Sequence, residues 1–317
     1  VNRPNEINEY DIGNRGFTEE IIEILLKNGK RTPILFSSSI QATMINPYGK
    51  SKYAAEELIR SYRETSGAPI YIFRLPNVFG KWCRPNYNSV IATWCYNTTR
   101  GIPIQINDSS TRLRLAYIDD VVEEFIAAID NKITTDSDGY CIIPKVYDRT
   151  LEQITRALQS FSNSRKSQIL PSFDDEFTRD LYATWISYVS ENDLSYILEM
   201  KHDQRGWLIE FIKSPFLGQV FISVTRPGIS RGNHWHNTKV EKFLVIKGKG
   251  LIRFRKIGDE KVIDYMVNDE KLQVIDIPPG YTHSITNIGT EDLITIFWAD
   301  EMFDSIKPDT FYHEVQM

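Results

Sequence analysis

The hydrophobic pattern of this chain changes period once, near residues 195–200, and that change limits the possible folds more than any other feature. Before it, helical and strand-like stretches alternate. "TEEIIEILLKN" (18–28) carries apolar residues at helical spacing, with Thr18 as cap and Gly29 just past the end. "TPILFSSS" (32–39) reads as a buried strand ending in hydroxyls, Tyr48 to Thr65 as a helix stopped by Gly67, and "PIYIFRL" (69–75) as another buried strand. "LAYIDDVVEEFIAAIDN" adds a strand and an amphipathic helix, "TLEQITRALQSF" a further helix, and the stretch 172–195 is polar and mixed. Such alternation predicts an α/β domain with a parallel sheet over residues 1–195. After it, runs such as "GQVFISVT", "KFLVIKG" and "DLITIFWA" follow one another with turn residues between them, which predicts an all-β sandwich or small barrel over 200–317.

Two domains also suit a length of 317 residues. The formal net charge of -5 gives no general attraction to nucleic acid or to anionic membrane surfaces. Cys83, Cys95 and Cys141 are scattered, without metal-type spacing, as expected of free thiols in a reducing compartment. No 18-residue apolar run and no basic leader followed by an apolar segment occur, so the expectation is a cytoplasmic protein without membrane insertion.

The β-half carries a metal-type pattern. His234 and His236 stand two apart in a strand-like stretch, so both imidazoles leave one face. Glu241 follows, and His283 arrives in "PPGYTHSITN", completing three nitrogens and one carboxylate, a set suited to zinc, nickel or iron(II). The combined pattern, His-x-His-x4-Glu-x6-Gly and then Pro-x-Gly-x2-His-x3-Asn, resembles the two motifs of the cupin superfamily. The resemblance implies a β-barrel in which His234, His236, Glu241 and His283 hold a divalent metal, zinc first among the candidates. "DQRGWLIEF" (203–211) and "RGNHWH" (231–236) are similar to segments of cupin-like nucleotide-keto-sugar epimerases, which points to Arg205, Glu210 and Arg231 as substrate contacts. In those epimerases the histidine of this motif is a free base, whereas His234 is expected to be tied to metal, which leaves the base unassigned.

In the α/β half, Tyr48 and Lys52 of "NPYGKSK" lie four apart and so on one helix face. A nearby ammonium lowers a phenol's pKa, and such a phenol can protonate a carbonyl being reduced. Ser39, at the end of the preceding strand, is placed to share the substrate oxygen. With "RLPNVFG" (74–80) and "YIDDVV" (117–122), these residues resemble the extended short-chain dehydrogenase/reductase family in its nucleotide-sugar branch. That resemblance implies a Rossmann-like domain, a catalytic set of Ser39, Tyr48 and Lys52, and Asn77 as a nucleotide-sugar contact. Arg112 and Arg114 flank Leu113, where the family's diphosphate-binding arginine usually stands, so either could serve. The family's G-x-x-G-x-x-G turn is absent from the sequence. "VNRP" normally follows the fourth strand of that sheet, so the resemblance implies that roughly 50 residues are missing before Val1. It also implies a chain that epimerises without reducing.

A reductase joined to a metal-type cupin resembles the bifunctional enzymes of bacterial capsular polysaccharide biosynthesis. The implied chemistry is C3 epimerisation of a UDP-2-acetamido-2,6-dideoxy-4-hexulose by the cupin. Reduction at C4 with NADPH then gives a UDP-2-acetamido-2,6-dideoxy-L-talose, on the route to UDP-N-acetyl-L-fucosamine. A homodimer is expected. Two other readings of the cupin stay open, a metal-stabilised sugar-binding or dimerising module and an iron dioxygenase.

Overall fold

A computed structural model describes residues 2–316. The chain forms two compact units, one running to Gln159 and including Asp175–Glu191, the other made of Ser160–Asp174 and the chain from Asn192 on. The segment 160–174 thus belongs with the strand-rich unit, although it precedes the change of period.

In the first unit a short α1 (Asn8–Tyr10) continues through the wider winding of Asp11–Gly16 into α2 (Phe17–Lys27). Thr18 is therefore not the cap expected from the sequence. It lies in the first turn of α2, where the helical path is already established, and its hydroxyl donates to the Asn14 carbonyl at 2.7 Å. β1 (Ile34–Ser39) pairs in parallel with β2 (Ile70–Leu75), Ile34 opposite Ile70 and Ser39 opposite Leu75. A parallel pair needs a crossover, supplied by α3 (Pro47–Ser66). The Asn46 side chain caps this helix by accepting from Gly49 N at 2.7 Å, Pro47 opens it, and Gly67 at φ 66° ends it. Its buried stripe includes Lys52, Ala55, Glu56, Ile59 and Tyr62, and Ile59 and Tyr62 pack with Ile22 of α2 and Ile72 of β2. A fully buried isoleucine such as Ile59 contributes about 1.5–3 kcal/mol.

A second small sheet holds β3 (Asn77–Phe79), β4 (Arg112–Tyr117) and β5 (Tyr147–Thr150), the first pair parallel and the second antiparallel. Along the chain α4 (Val90–Thr99) follows β3, α5 (Ile118–Ile129) follows β4 and α6 (Leu151–Ser167) follows β5. The polar stretch 172–195 contains a helix, α7 (Glu176–Ile186), which buries Phe177, Leu181 and Trp185.

The second unit is two antiparallel sheets. One has the order β13 (Val274–Ile277), β10 (Glu241–Lys247), β15 (Leu293–Ala299), β8 (Gly218–Thr225), β7 (Gly206–Ser214), β6 (Met200–Asp203). The other runs β12 (Val262–Asn268), β11 (Lys249–Lys256), β14 (Tyr281–Asn287), β9 (Ser230–Trp235), β16 (Phe311–Tyr312). Both sheets feed a single core that includes Phe243, Ile277 and Phe297 from the first and Ile252, Phe254 and Ile285 from the second. Strict alternation of buried and half-buried residues along β15 is the period-2 signature of a strand with one face on that core.

Among the described residues no helix is long and apolar enough to cross a membrane. Cys83, Cys95 and Cys141 are free thiols, and burial pushes the Cys95 thiol well above its ordinary value.

Candidate functional site

The first unit contains a cleft of about 680 Å³. Its walls are the end of β1 with the turn Ile40–Thr43, the start of α3, the segment Leu75–Val78, and the loop leading into α4. Ser39, Tyr48, Lys52 and Asn77 all line it. Gly49 makes this geometry possible: a Cβ there would lie 2.1 Å from the Gln41 carbonyl oxygen and 2.7 Å from that of Met44. Only glycine lets the first turn of α3 seat against the turn that follows Ser39.

The Ser39 hydroxyl accepts from Gln41 N at 3.2 Å. Burial pushes the Tyr48 phenol above its ordinary value, opposed by a hydrogen bond with Ser39. Lys52 was expected to lower the Tyr48 pKa, but its ammonium is committed elsewhere, donating to the Ser37 carbonyl at 2.8 Å and sitting 4.6 Å from the centre of the Phe36 ring. Burial lowers the Lys52 pKa, opposed by the Glu56 carboxylate one turn on. Glu56, which sequence reasoning overlooked, is fully buried. It pairs with Arg74 at 2.6 Å and accepts from the Tyr140 hydroxyl at 3.0 Å and from the Ser38 hydroxyl.

Asn77 donates to the Arg114 carbonyl at 3.2 Å. Neither Arg112 nor Arg114 is among the residues lining the cleft, and Arg112 pairs with Asp148 at 2.7 Å on the surface. Ser89, Val90 and Ile91 bring the N-terminal end of α4 to the cleft wall, where the helix macrodipole favours an anion.

The second unit gathers His234, His236, Glu241 and His283, whose ligand atoms all lie within 4.8 Å of one another. A bulge in β9 brings His234 to this cluster. His283 pairs with His234 but Ser284 pairs with Gly232, so Asn233 is an extra residue in β9. Gly232 at φ 100° and Asn233 at φ 57° form the bulge, and these are residue types that tolerate positive φ. A Cβ on Gly232 would meet the His283 carbonyl oxygen at 2.6 Å. Because side chains alternate along a strand, the extra residue turns His234 to the face shared with His283.

His236 Nδ1 lies 2.5 Å from the Asp309 carbonyl and His283 Nδ1 lies 3.3 Å from the Tyr281 carbonyl. A carbonyl only accepts, so each Nδ1 carries a proton and each ring turns its Nε2 toward Glu241, at 3.3 and 3.2 Å from Oε2. Both Nε2 atoms are buried and have no hydrogen-bond partner. Converging acceptors with nothing between them are the arrangement a divalent cation satisfies, so the residues fit a metal. Burial, more than the neighbouring His283, lowers the His234 pKa to about 4. Burial works to raise the Glu241 pKa, but the two imidazoles more than offset it and hold the carboxyl well below the usual range. Three imidazole nitrogens and one carboxylate are donor atoms a divalent cation takes, and metal binding would displace any proton they carry.

Beside the cluster lies a cavity of about 200 Å³, lined by Leu208, Phe221, Phe243, Ile285 and Phe297 with Arg205, Arg231 and Ser223 as its polar members outside the ligand set. Arg231 donates to Thr225 Oγ1 at 2.9 Å and to the Val224 carbonyl at 3.1 Å. Burial lowers its pKa, and the nearby Arg205 adds to that effect. Glu210, expected as a substrate contact, does not line the cavity: it pairs with Lys213 at 3.3 Å and Lys201 at 3.5 Å. Asp309 and the buried, partnerless Ser223 hydroxyl were not found by sequence reasoning, because neither belongs to a recognisable spacing.

Residues 14–140 match the NAD dependent epimerase/dehydratase family, and residues 201–311 match the polysaccharide biosynthesis C-terminal domain. The chain is 44% identical over 311 residues to the UDP-2-acetamido-2,6-beta-L-arabino-hexul-4-ose reductase of Pseudomonas aeruginosa, covering 98% of this chain and 83% of that protein. A probable low-salt glycan biosynthesis epimerase of Haloferax volcanii, Agl13, is 27% identical over 124 residues, 35% of this chain and 80% of that protein. Among solved structures, the capsular polysaccharide assembling protein CapF of Staphylococcus aureus superposes with a TM-score of 0.92 at 50% identity, covering 99% of this chain and 85% of that one. CapF with the inhibitor 3-isopropenyl-tropolone superposes with a TM-score of 0.87 at 47% identity, covering 94% and 83%.

Proposed function

The chain belongs to the family of the Pseudomonas aeruginosa UDP-keto-sugar reductase and staphylococcal CapF, and on that premise we propose that it is a bifunctional UDP-sugar enzyme of capsular polysaccharide synthesis. Its β-unit, read as a cupin barrel, epimerises C3 of a UDP-2-acetamido-2,6-dideoxy-4-hexulose. Its α/β unit carries the residues for reduction of the C4 ketone to a UDP-2-acetamido-2,6-dideoxy-L-talose, a step that also needs the dinucleotide-binding turn absent from this sequence. The observation that carries the reading is the convergence of Ser39, Tyr48, Lys52 and Asn77 on one cleft, in a chain that also builds a four-ligand cluster.

In the cleft, NADPH when bound supplies hydride to C4. Tyr48 gives its proton to the developing alkoxide, and the raised phenol pKa keeps that proton in place at neutral pH. The Ser39 hydroxyl, hydrogen-bonded with Tyr48, orients the carbonyl oxygen. Lys52, held by the Ser37 carbonyl, brings a positive charge to the same wall, and the N-terminal end of α4 favours the substrate's diphosphate.

In the β-unit, His234, His236, Glu241 and His283 would hold a divalent metal, zinc by the chemistry of the set, which would supply Lewis acidity for polarising a keto sugar. Arg205, whose guanidinium is paired with Asp203 at 2.9 Å, and Arg231 line this cavity and would offer their guanidiniums to the diphosphate. Phe221, Phe243 and Phe297 keep the cavity apolar, which strengthens every polar contact inside it.

A second reading has support of its own. Among the residues lining the cavity, every carboxylate or imidazole belongs to the ligand set, which favours a barrel that binds or pairs rather than one that removes a proton. Incubation with the UDP-keto sugar and NADPH, using the chain extended by a dinucleotide-binding βαβ segment of the family and followed by product NMR, tests the proposal. Formation of the L-talo sugar that Tyr48→Phe slows about 10²–10⁴-fold supports it. Oxidation of NADPH at an equal rate in Tyr48→Phe contradicts it.

A further inference from the structure

The three histidine ligands come from β9, the turn after it, and β14, and all three places are fastened to one segment, residues 309–315, which no spacing in the sequence connects to them. The Asp309 carbonyl takes the Nδ1–H of His236 at 2.5 Å. Its carboxylate accepts the N–H groups of Asn237, Thr238 and Lys239 at 2.8, 2.8 and 2.9 Å, and the Thr238 hydroxyl at 3.0 Å. That turn joins His236 to Glu241, so one residue holds the ring of one ligand and the backbone leading to the next. Tyr312 pairs with His234 and Phe311 with Trp235, and His313 N donates to the carbonyl of the bulge residue Asn233 at 2.9 Å. The Thr282 hydroxyl, one residue before His283, donates to the His313 carbonyl.

The far end of the segment is anchored as firmly. Arg255, 3% exposed, donates to the Val315 and Glu314 carbonyls, both at 2.9 Å, and Val315 is itself buried.

We infer that residues 309–315 are a strap that pre-orients the metal ligands, with Asp309 as the positioning residue for His236 and for the turn to Glu241. The inference rests on the reading of the four-residue cluster as a metal centre. Partners that fix a ligand's ring and tautomer set metal affinity as well as geometry, and losing one typically weakens binding 10–100-fold. Asp309 needs no contact with the metal to have this effect. Without its carboxylate three backbone donors lose their common acceptor, the turn loosens, and the carbonyl that fixes His236 drifts with it.

The test is zinc affinity of the whole chain, measured by competition with a chromophoric chelator well below the melting temperature. Wild type is compared with Asp309→Ala, Asp309→Asn and Asp304→Ala, the last removing an exposed carboxylate that precedes the segment and bonds only locally. The expected result is zinc binding by wild type and Asp304→Ala alike, a loss of about 10–100-fold in Asp309→Ala, and a smaller loss in Asp309→Asn, whose amide oxygen still accepts. Asp309→Asn keeps the side-chain shape and carries the test if Asp309→Ala does not fold. Equal zinc affinity in wild type and both Asp309 variants overturns the inference, including the case in which they melt earlier without metal, since the strap would then be only structural. A wild-type chain that binds no zinc removes the metal centre itself, an outcome distinct from a strap that does not matter.

Discussion

Gly232→Ala is the substitution that most sharply tests how the β-unit gathers His234, His236, Glu241 and His283. The new methyl would lie 2.6 Å from the His283 carbonyl oxygen, against an ordinary contact of 3.4 Å or more, so β9 and β14 must part by about 0.8 Å. An opening of that size takes neighbouring ladder bonds from about 2.9 Å to about 3.7 Å, beyond hydrogen-bonding range. Each lost bond costs roughly 0.5–1.5 kcal/mol, and alanine at φ 100° adds about 1–3 kcal/mol of strain. The total is about 2–5 kcal/mol, or roughly 8–20 °C in melting temperature at about 4 °C per kcal/mol for a unit of this size. His234 is carried on the displaced strand, and ligand distances tolerate only about 0.2 Å, so zinc affinity falls at least about tenfold. Scanning calorimetry of zinc-loaded and chelator-treated protein, with chelator competition, gives both quantities. A variant that melts within about 2 °C of wild type and binds zinc equally well would refute the reasoning.

Three further outcomes follow from the same geometry. Glu56→Ala leaves Arg74 half-enclosed without its partner and strips acceptors from Tyr140 and Ser38, so unfolding free energy falls by about 3–5 kcal/mol in denaturant melts; a loss under about 1 kcal/mol would show that the network is not structural. Because burial raises the Tyr48 pKa above 10, its phenol stays protonated through neutral pH, and its contribution to stability is present below pH 10 and is lost as pH rises through the folded value. Ultraviolet difference titration of wild type against Tyr48→Phe without cofactor therefore shows no phenolate from this residue between pH 6 and 9, and a titration near pH 7 would restore the role first assigned to Lys52. Replacing Arg112 with alanine leaves UDP-sugar affinity within about twofold by calorimetry, since that side chain pairs with Asp148 away from the cleft; a tenfold loss would place it at the diphosphate.

Much of the fold and site was legible because it depends on local periodicity and spacing. The β1–α3–β2 crossover shows as two apolar runs around a capped amphipathic stretch, and the two short histidine-bearing segments each sit on one strand or turn. What escaped depends on contacts distant in sequence. α7 buries Phe177, Leu181 and Trp185 at helical spacing, but Asp174, Asp175, Glu176, Arg179 and Asp180 make its surroundings read as loop. The direction of the Lys52 ammonium is set by the Ser37 carbonyl, which no Tyr-x3-Lys spacing reports. Glu210 looked like a substrate contact from its motif, yet Lys201 and Lys213 claim it. Asp309 acts on His236 across 73 residues of chain. The "GN" before His234 was quoted as part of a motif, but its purpose, a bulge that turns the histidine inward, appears only once β9 is paired with β14.

The proposed function makes the β-unit a catalyst in its own right. Its most direct test is proton NMR of the UDP-4-keto sugar in D2O with the zinc-loaded chain and no NADPH. Deuterium entering at C3, at a rate that His283→Ala reduces at least about a hundredfold, is the predicted result. Substrate that binds, by line broadening of its sugar resonances, yet keeps its C3 proton would contradict the claim and leave the barrel a holder of the nucleotide sugar.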